Sequence, residues 1–148
     1  RSVHEMNDEE FRQAMQTLES YQQQLDNINR QVRLLQSTKD DCVRATRSMQ
    51  ALAEAKPGVD ILIPVGASSF VNVTVSEKKS AVINIGNKIS VEKDLNDAVA
   101  HIEKNIEEIN VGLQKSLAAL QEVQQYSQQL AKAVQAEYAR RQQSAPSQ

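Results

Sequence analysis

Few side chains in this sequence could carry out covalent chemistry, and none stands in a pattern that would allow it. Histidine occurs only at His4 and His101. His101 lies beside Glu103 and Lys104, where an imidazole without a metal or a paired base reads as a solvated group. Cys42 has no second cysteine to bridge and no histidine near it in the repeat, so it is expected to act as a small apolar side chain rather than a nucleophile. No glycine-rich loop opens a helix, which leaves no evident means of binding ATP. The sequon Asn72-Val73-Thr74 has no export signal to give it meaning. The expectation is a protein that is not an enzyme, with no cofactor and no metal.

Composition narrows the remaining classes. Of 148 residues 40% are hydrophobic but only 3% aromatic, so a thick globular core is not expected. Four glycines and three prolines leave room for few turns. A net charge of −2 gives no basic footprint for nucleic acid or an anionic membrane. No apolar run approaches the roughly 20 residues that span a bilayer, and a cytoplasmic location is expected. Residues 1–6, "RSVHEM", lack the charged and apolar blocks of a signal peptide and are set apart as an appended or disordered start.

The elements that must position any site are two long helices. From Phe11 to Ala53 one heptad seam holds Phe11, Leu18, Leu25, Val32, Lys39, Thr46 and Ala53. The other holds Ala14, Tyr21, Ile28, Leu35, Cys42 and Met49. Six heptads broken only at Lys39 and Thr46, which read as register devices, specify a supercoiled helix. Asn7 with Glu10 forms a capping box, "DEE" suits the positive end of the dipole, and "KPG" stops the helix, giving coiled-coil helix 1 over residues 7–56.

The second flank repeats the pattern. Its seams are Leu95, Ile102, Ile109, Ser116, Val123, Leu130 and Glu137, with Val99, Ile106, Leu113, Leu120, Ser127 and Val134. Ser90 is taken as the N-cap of coiled-coil helix 2, residues 91–141, followed by a disordered tail over 142–148. Gly112, inside this helix, marks a candidate bend. Charge favours an antiparallel pair within one chain, because Asp8, Glu9 and Glu10 would then meet Arg140 and Arg141. That pairing puts Leu18 near Leu130 and Leu25 near Val123.

Between the helices, residues 57–90 switch to period two. Four short strands, roughly 60–65, 69–75, 80–85 and 88–91, are broken at "GASS", "SEKKS" and "GNK" and form two hairpins. So small a sheet is marginal alone, and its apolar edges invite pairing with other chains until a barrel closes. The fold class is therefore α+β: a long antiparallel two-helix coiled coil joined by two β-hairpins that assemble into an oligomeric β-barrel.

At this point the chain resembles the α-class subunits of prefoldin over nearly its whole length. The residues that carry the likeness are "LIPVG" (Leu62 to Gly66), Phe70, "INIG" (Ile83 to Gly86) and "VEK" (Val91 to Lys93), each following or preceding a long helix. Two hairpins rather than one point to the α class. Where the family often has glycine and aromatics between "IG" and "VEK", this sequence has Lys88, Ile89 and Ser90, with Asn87 able to adopt the left-handed conformation.

The resemblance implies an ATP-independent co-chaperone, a hexamer of two α-class and four β-class subunits. Its coiled-coil ends hold non-native client proteins and deliver them to a group II chaperonin. For client contact the candidates are Phe11, Met15, Leu18, Tyr21, Tyr126, Leu130, Val134 and Tyr138, left partly exposed by fraying and by the weak seam residues Ala14, Ser127 and Glu137. For assembly they are Ile61, Ile63, Val65, Phe70, Val71, Val73, Val75, Val82, Ile83 and Ile85, half of which must face one side of the sheet. The competing reading is a coiled-coil scaffold in another prefoldin-like assembly, with well-packed helix ends and no general client binding.

Overall fold

The computed structural model describes residues 5–144. Helix α1 spans Asp8–Glu54, strands β1 to β4 span Asp60–Gly66, Ser69–Thr74, Ser80–Gly86 and Ile89–Asp94, and helix α2 spans Leu95–Ser144. Both seams read from the heptads are at least half-buried throughout, and the residues between them are mostly exposed. The polar interruption Thr46 is buried, its hydroxyl donating to the Val43 carbonyl 2.9 Å away, so it needs no partner beyond its own helix. Among the described residues no helix is long and apolar enough to cross a membrane.

Two compact units make up the chain, and both helices contribute to each: a terminal unit of residues 1–36 and 112–148, and a central unit of residues 37–111. In the terminal unit the helix halves run antiparallel. Arg141 Nη1 lies 2.6 Å from Asp8 Oδ1, and a Cβ built on Gly112 would meet Leu35 Cδ1 at 3.6 Å. This register brings Leu18 level with Leu130 and Leu25 level with Val123. The capping box at the start of α1 is reciprocal: Glu10 N donates to Asn7 Oδ1 at 2.8 Å and Asn7 N to Glu10 Oε1 at 3.1 Å. Gly112 is helical and produces no break in α2.

The central unit holds two separate two-stranded antiparallel sheets, β1 with β2 and β3 with β4. Each turn follows the same backbone programme. Gly66 (φ 102°) precedes Ala67 and Ser68 at φ 50° and 55°; Gly86 (φ 112°) precedes Asn87 and Lys88 at φ 50° and 59°. Two successive left-handed residues twist the chain in the sense that matches flanking strands. In both hairpins the register shifts just before the glycine, skipping Val65 in one and Ile85 in the other.

The structure corrects three boundaries. Ser90 does not cap helix 2: it pairs with Asn84 in the ladder, and β4 continues through Val91 and Lys93 to Asp94. Asp94 is the cap, its Oδ2 accepting from Asn96 N at 3.2 Å, and the helix begins at the next residue. Alternation persists three pairs further than the strand pattern suggests, and aspartate caps as well as serine does. At the other end, residues 142–144 are helical rather than part of a tail, while 145–148 lie outside the described residues. Met6, assigned to the discounted start, is tied into the fold through its backbone; residues 1–4, His4 among them, lie outside the described residues.

One lysine joins the helices at the base of the hairpins. Helix α1 has no basic residue in its last turn. Lys79, from the β2–β3 connection, supplies the charge, its Nζ donating to the carbonyls of Ala53, at 2.8 Å, and Ala55. Its own carbonyl accepts from Leu95 N, the first residue of α2, at 3.0 Å.

Candidate functional site

No chemistry-bearing cluster is present to consider: among the described residues no group of three or more His, Cys, Asp or Glu could hold a metal ion. Cys42 is a free, half-buried thiol and His101 is half-buried on α2. The candidate sites are surfaces.

In the central unit, strand alternation sorts the assembly candidates. Ile61 pairs with Val73 and Ile63 with Val71, while Leu62 pairs with Asn72 and Pro64 with Phe70, so these four pairs alternate between the two faces of the first hairpin. Ile61, Ile63 and Val73 are half-buried. Val75, just beyond β2, is buried and exchanges backbone hydrogen bonds with Val59 and Gly58 at 2.9 Å. In the second hairpin Ile83 is buried opposite Val91, and its neighbour Val82 stands out opposite Glu92. Large apolar groups are left in water on both hairpins: Leu62 (66% exposed), Phe70 (62%) and Val82 (68%), with Val65, Val71, Ile85 and Ile89 also exposed. Leu62 and Ile89 were not among the sequence candidates. The turn geometry could have found Ile89, since it follows two left-handed residues and faces Gly86 at the end of the ladder.

In the terminal unit the client-contact candidates divide. Met15, Tyr126 and Tyr138 are exposed; Phe11, Leu18, Tyr21 and Leu130 are half-buried; Val134 is buried. A groove of about 590 Å³ runs between the helix halves, lined by Met6, Ala14, Tyr21, Tyr126 and Leu130 among others. Tyr21, Tyr126 and Leu130 are thus brought together, while Phe11 is drawn into a different arrangement.

That arrangement centres on Glu137, which sequence reasoning took for a weak point of the seam. It is 4% exposed, and its carboxylate is fully engaged. Oε1 accepts from the Met6 amide at 3.0 Å and from Arg140 Nε at 3.2 Å; Oε2 accepts from Arg141 Nε at 2.8 Å and from the Arg140 Nη2 group. Arg141 reaches onward to Asp8, donates Nη2 to the Met6 carbonyl at 3.2 Å, and lays its guanidinium 4.6 Å from the centre of the Phe11 ring. The hydrogen bond from Arg140, then that from the Met6 amide, with a smaller one from Arg141, pull the Glu137 carboxyl from its ordinary 4.5 down to about 2, against the opposing effect of burial. A buried carboxylate so satisfied closes the seam rather than weakening it.

The family model described as "Prefoldin subunit" matches residues 21–143. Prefoldin subunit alpha of Methanobrevibacter smithii is 30% identical over 115 residues, covering 78% of each chain. The same subunit of Methanococcus aeolicus is 27% identical over 124 residues, covering 84% of each. Among solved structures, filamentous PFD from Methanocaldococcus jannaschii aligns over 79% of this chain and 97% of that one with a TM-score of 0.63 at 20% identity. The prefoldin beta subunit from Thermococcus strain KS-1 aligns over 85% and 90% with a TM-score of 0.54 at 18% identity. At such identities the structural likeness speaks for the fold.

Proposed function

The chain belongs to the prefoldin family, whose members are non-enzymatic chaperone subunits, and from that premise we propose that it acts as the α-class subunit of an ATP-independent cytoplasmic co-chaperone. In this reading two such chains join four β-class subunits, the hairpins close into a barrel, and the helix ends hold non-native proteins for delivery to a group II chaperonin. The observation that carries it is the set of exposed apolar side chains on the hairpins, led by Leu62, Phe70 and Val82. Burying each is worth roughly 1.5–3 kcal/mol, so covering them contributes on the order of 10 kcal/mol. Association costs about 4–15 kcal/mol, which a closed assembly sharing many such contacts can offset and a single glancing contact cannot.

The buried Val134 and the engaged Glu137 favour a second reading, a scaffold whose helix ends are packed shut. One experiment separates them. Two unrelated denatured proteins are diluted into the chain assembled with a β-class partner, without nucleotide, and light scattering is followed. Suppression of both aggregations is expected of the co-chaperone; suppression of neither leaves the scaffold.

A further inference from the structure

The end of α1 does not complete itself. It has no basic residue in its last turn, and the residues that follow lack or spend their amides: Pro57 has no N–H, Gly58 N donates to Val75 O at 2.9 Å, and Val59 N to Lys56 O at 3.3 Å. The carbonyls of the half-buried Ala53 and Ala55 instead receive the ammonium of Lys79, 26 and 24 positions away in the connection between the hairpins. The helix is therefore finished only when the hairpins are seated against it.

Lys79 belongs equally to the base of the second hairpin. Its carbonyl accepts from Leu95 N at 3.0 Å, just as the Val59 carbonyl accepts from Val75 N at 2.9 Å at the base of the first. Its neighbour Lys78 holds Glu92 of β4 through an ion pair of 2.8 Å. The end of α1, the base of the second hairpin and the first residue of α2 thus meet on one half-buried residue.

We infer that Lys79 couples assembly to the coiled coil: the hairpin pose that a partner chain meets and the closure of the last turn of α1 are one equilibrium, joined through its ammonium. The inference rests on the hairpin-assembly reading above and adds to it a consequence of linkage. If the ammonium holds the hairpins in the pose a partner binds, partner binding holds the ammonium on the helix end by the same factor. A partner seated on the hairpins is thereby felt at the root of the coiled coil, through a residue outside both heptad seams. The charge matters as well as the donor, because the carbonyls it meets are the negative end of the helix dipole.

The test uses the full-length chain, a recombinant β-class prefoldin subunit, and hydrogen exchange of the amides of residues 52–55. Partner binding to the wild type is expected to slow their exchange about tenfold, the factor for roughly one charge-assisted hydrogen bond. Lys79→Met should weaken partner binding by about the same factor and remove the partner's effect on these amides, while the β3 and β4 amides remain protected by the partner. In a Cys42→Ser background, Lys79→Cys alkylated with 2-bromoethylamine rebuilds an ammonium and should restore both readouts. Iodoacetamide, which adds a neutral amide, should restore neither, a difference that a merely structural role would not register. Where Lys79→Met lowers the helical circular dichroism, the two alkylated forms, made from one folded protein, decide. Wild-type partner affinity in Lys79→Met, partner-induced protection of residues 52–55 that survives that substitution, or equal rescue by both reagents overturns the proposal. A wild-type chain that binds no β-class subunit overturns the assembly reading as well, so the two failures are distinguishable.

Discussion

The hairpins and the helix ends handle apolar surface in contrary ways. On the hairpins Val82 and Leu62 stand about two-thirds exposed while their strand neighbours Ile83 and Ile61 turn inward. At the helix ends Val134 is buried, Phe11 is roofed by Arg141, and the group placed inside is a carboxylate. A surface waiting for another chain keeps its apolar groups outward, because their burial drives association. A surface that must close in one register gains more from directional groups, since the Met6 amide on Glu137 and the Asp8 carboxylate on Arg141 each tie α2 to the start of α1.

Substitutions on the two faces of one strand should have the largest effects. Ile83→Ala removes a buried side chain and should cost the chain about 2–4 kcal/mol in denaturant unfolding. Val82→Lys should leave that midpoint within about 0.5 kcal/mol yet abolish co-elution with a β-class partner. Normal assembly of Val82→Lys would remove the basis for reading the exposed apolar groups as an interface.

A smaller effect should appear at the helix ends, through acid. The Glu137 carboxyl titrates near 2 in the folded chain and near 4.5 when free, so the stability it contributes is complete above about pH 4.5 and is lost as the pH falls through 2. The thermal midpoint of the wild type should exceed that of Glu137→Gln at neutral pH, and the gap should close across that window. A gap independent of pH would mean that the carboxylate's charge is not what closes the seam.

The smallest effect belongs to the turns. Lys88 holds φ 59° although a side chain disfavours the left-handed region, so Lys88→Gly, which creates an Asn-Gly turn, should stabilise the second hairpin by about 1 kcal/mol. Hydrogen exchange of the β3 and β4 amides would register it; unchanged protection would show that the hairpin draws its order from elsewhere.

What could be read from the sequence was what is periodic or local. The two heptad seams, the Asn7–Glu10 box and the paired turns depend on residues a few positions apart, and each stands as expected. What could not be read depends on groups that meet only after folding. Glu137 looks like a flaw in a seam because its amide partner is 131 positions away. Lys79 looks like one more polar loop residue until the end of α1 is found beside it. Ser90 and Asp94 are both good caps, and only the ladder through Lys93 decides between them.

Strand β4 ends at Asp94 and α2 begins at Leu95, with no connecting residue. The pleat of the strand and the azimuth of the helix are therefore set by one another, like two gears on a shared shaft. Each helical residue turns by about 100°, so inserting one residue at this junction would swing the Leu95–Val99–Ile102 stripe by more than a quarter turn relative to the hairpin. The rotational phase of the coiled coil's second strand is thus fixed at its first residue, before any heptad has packed.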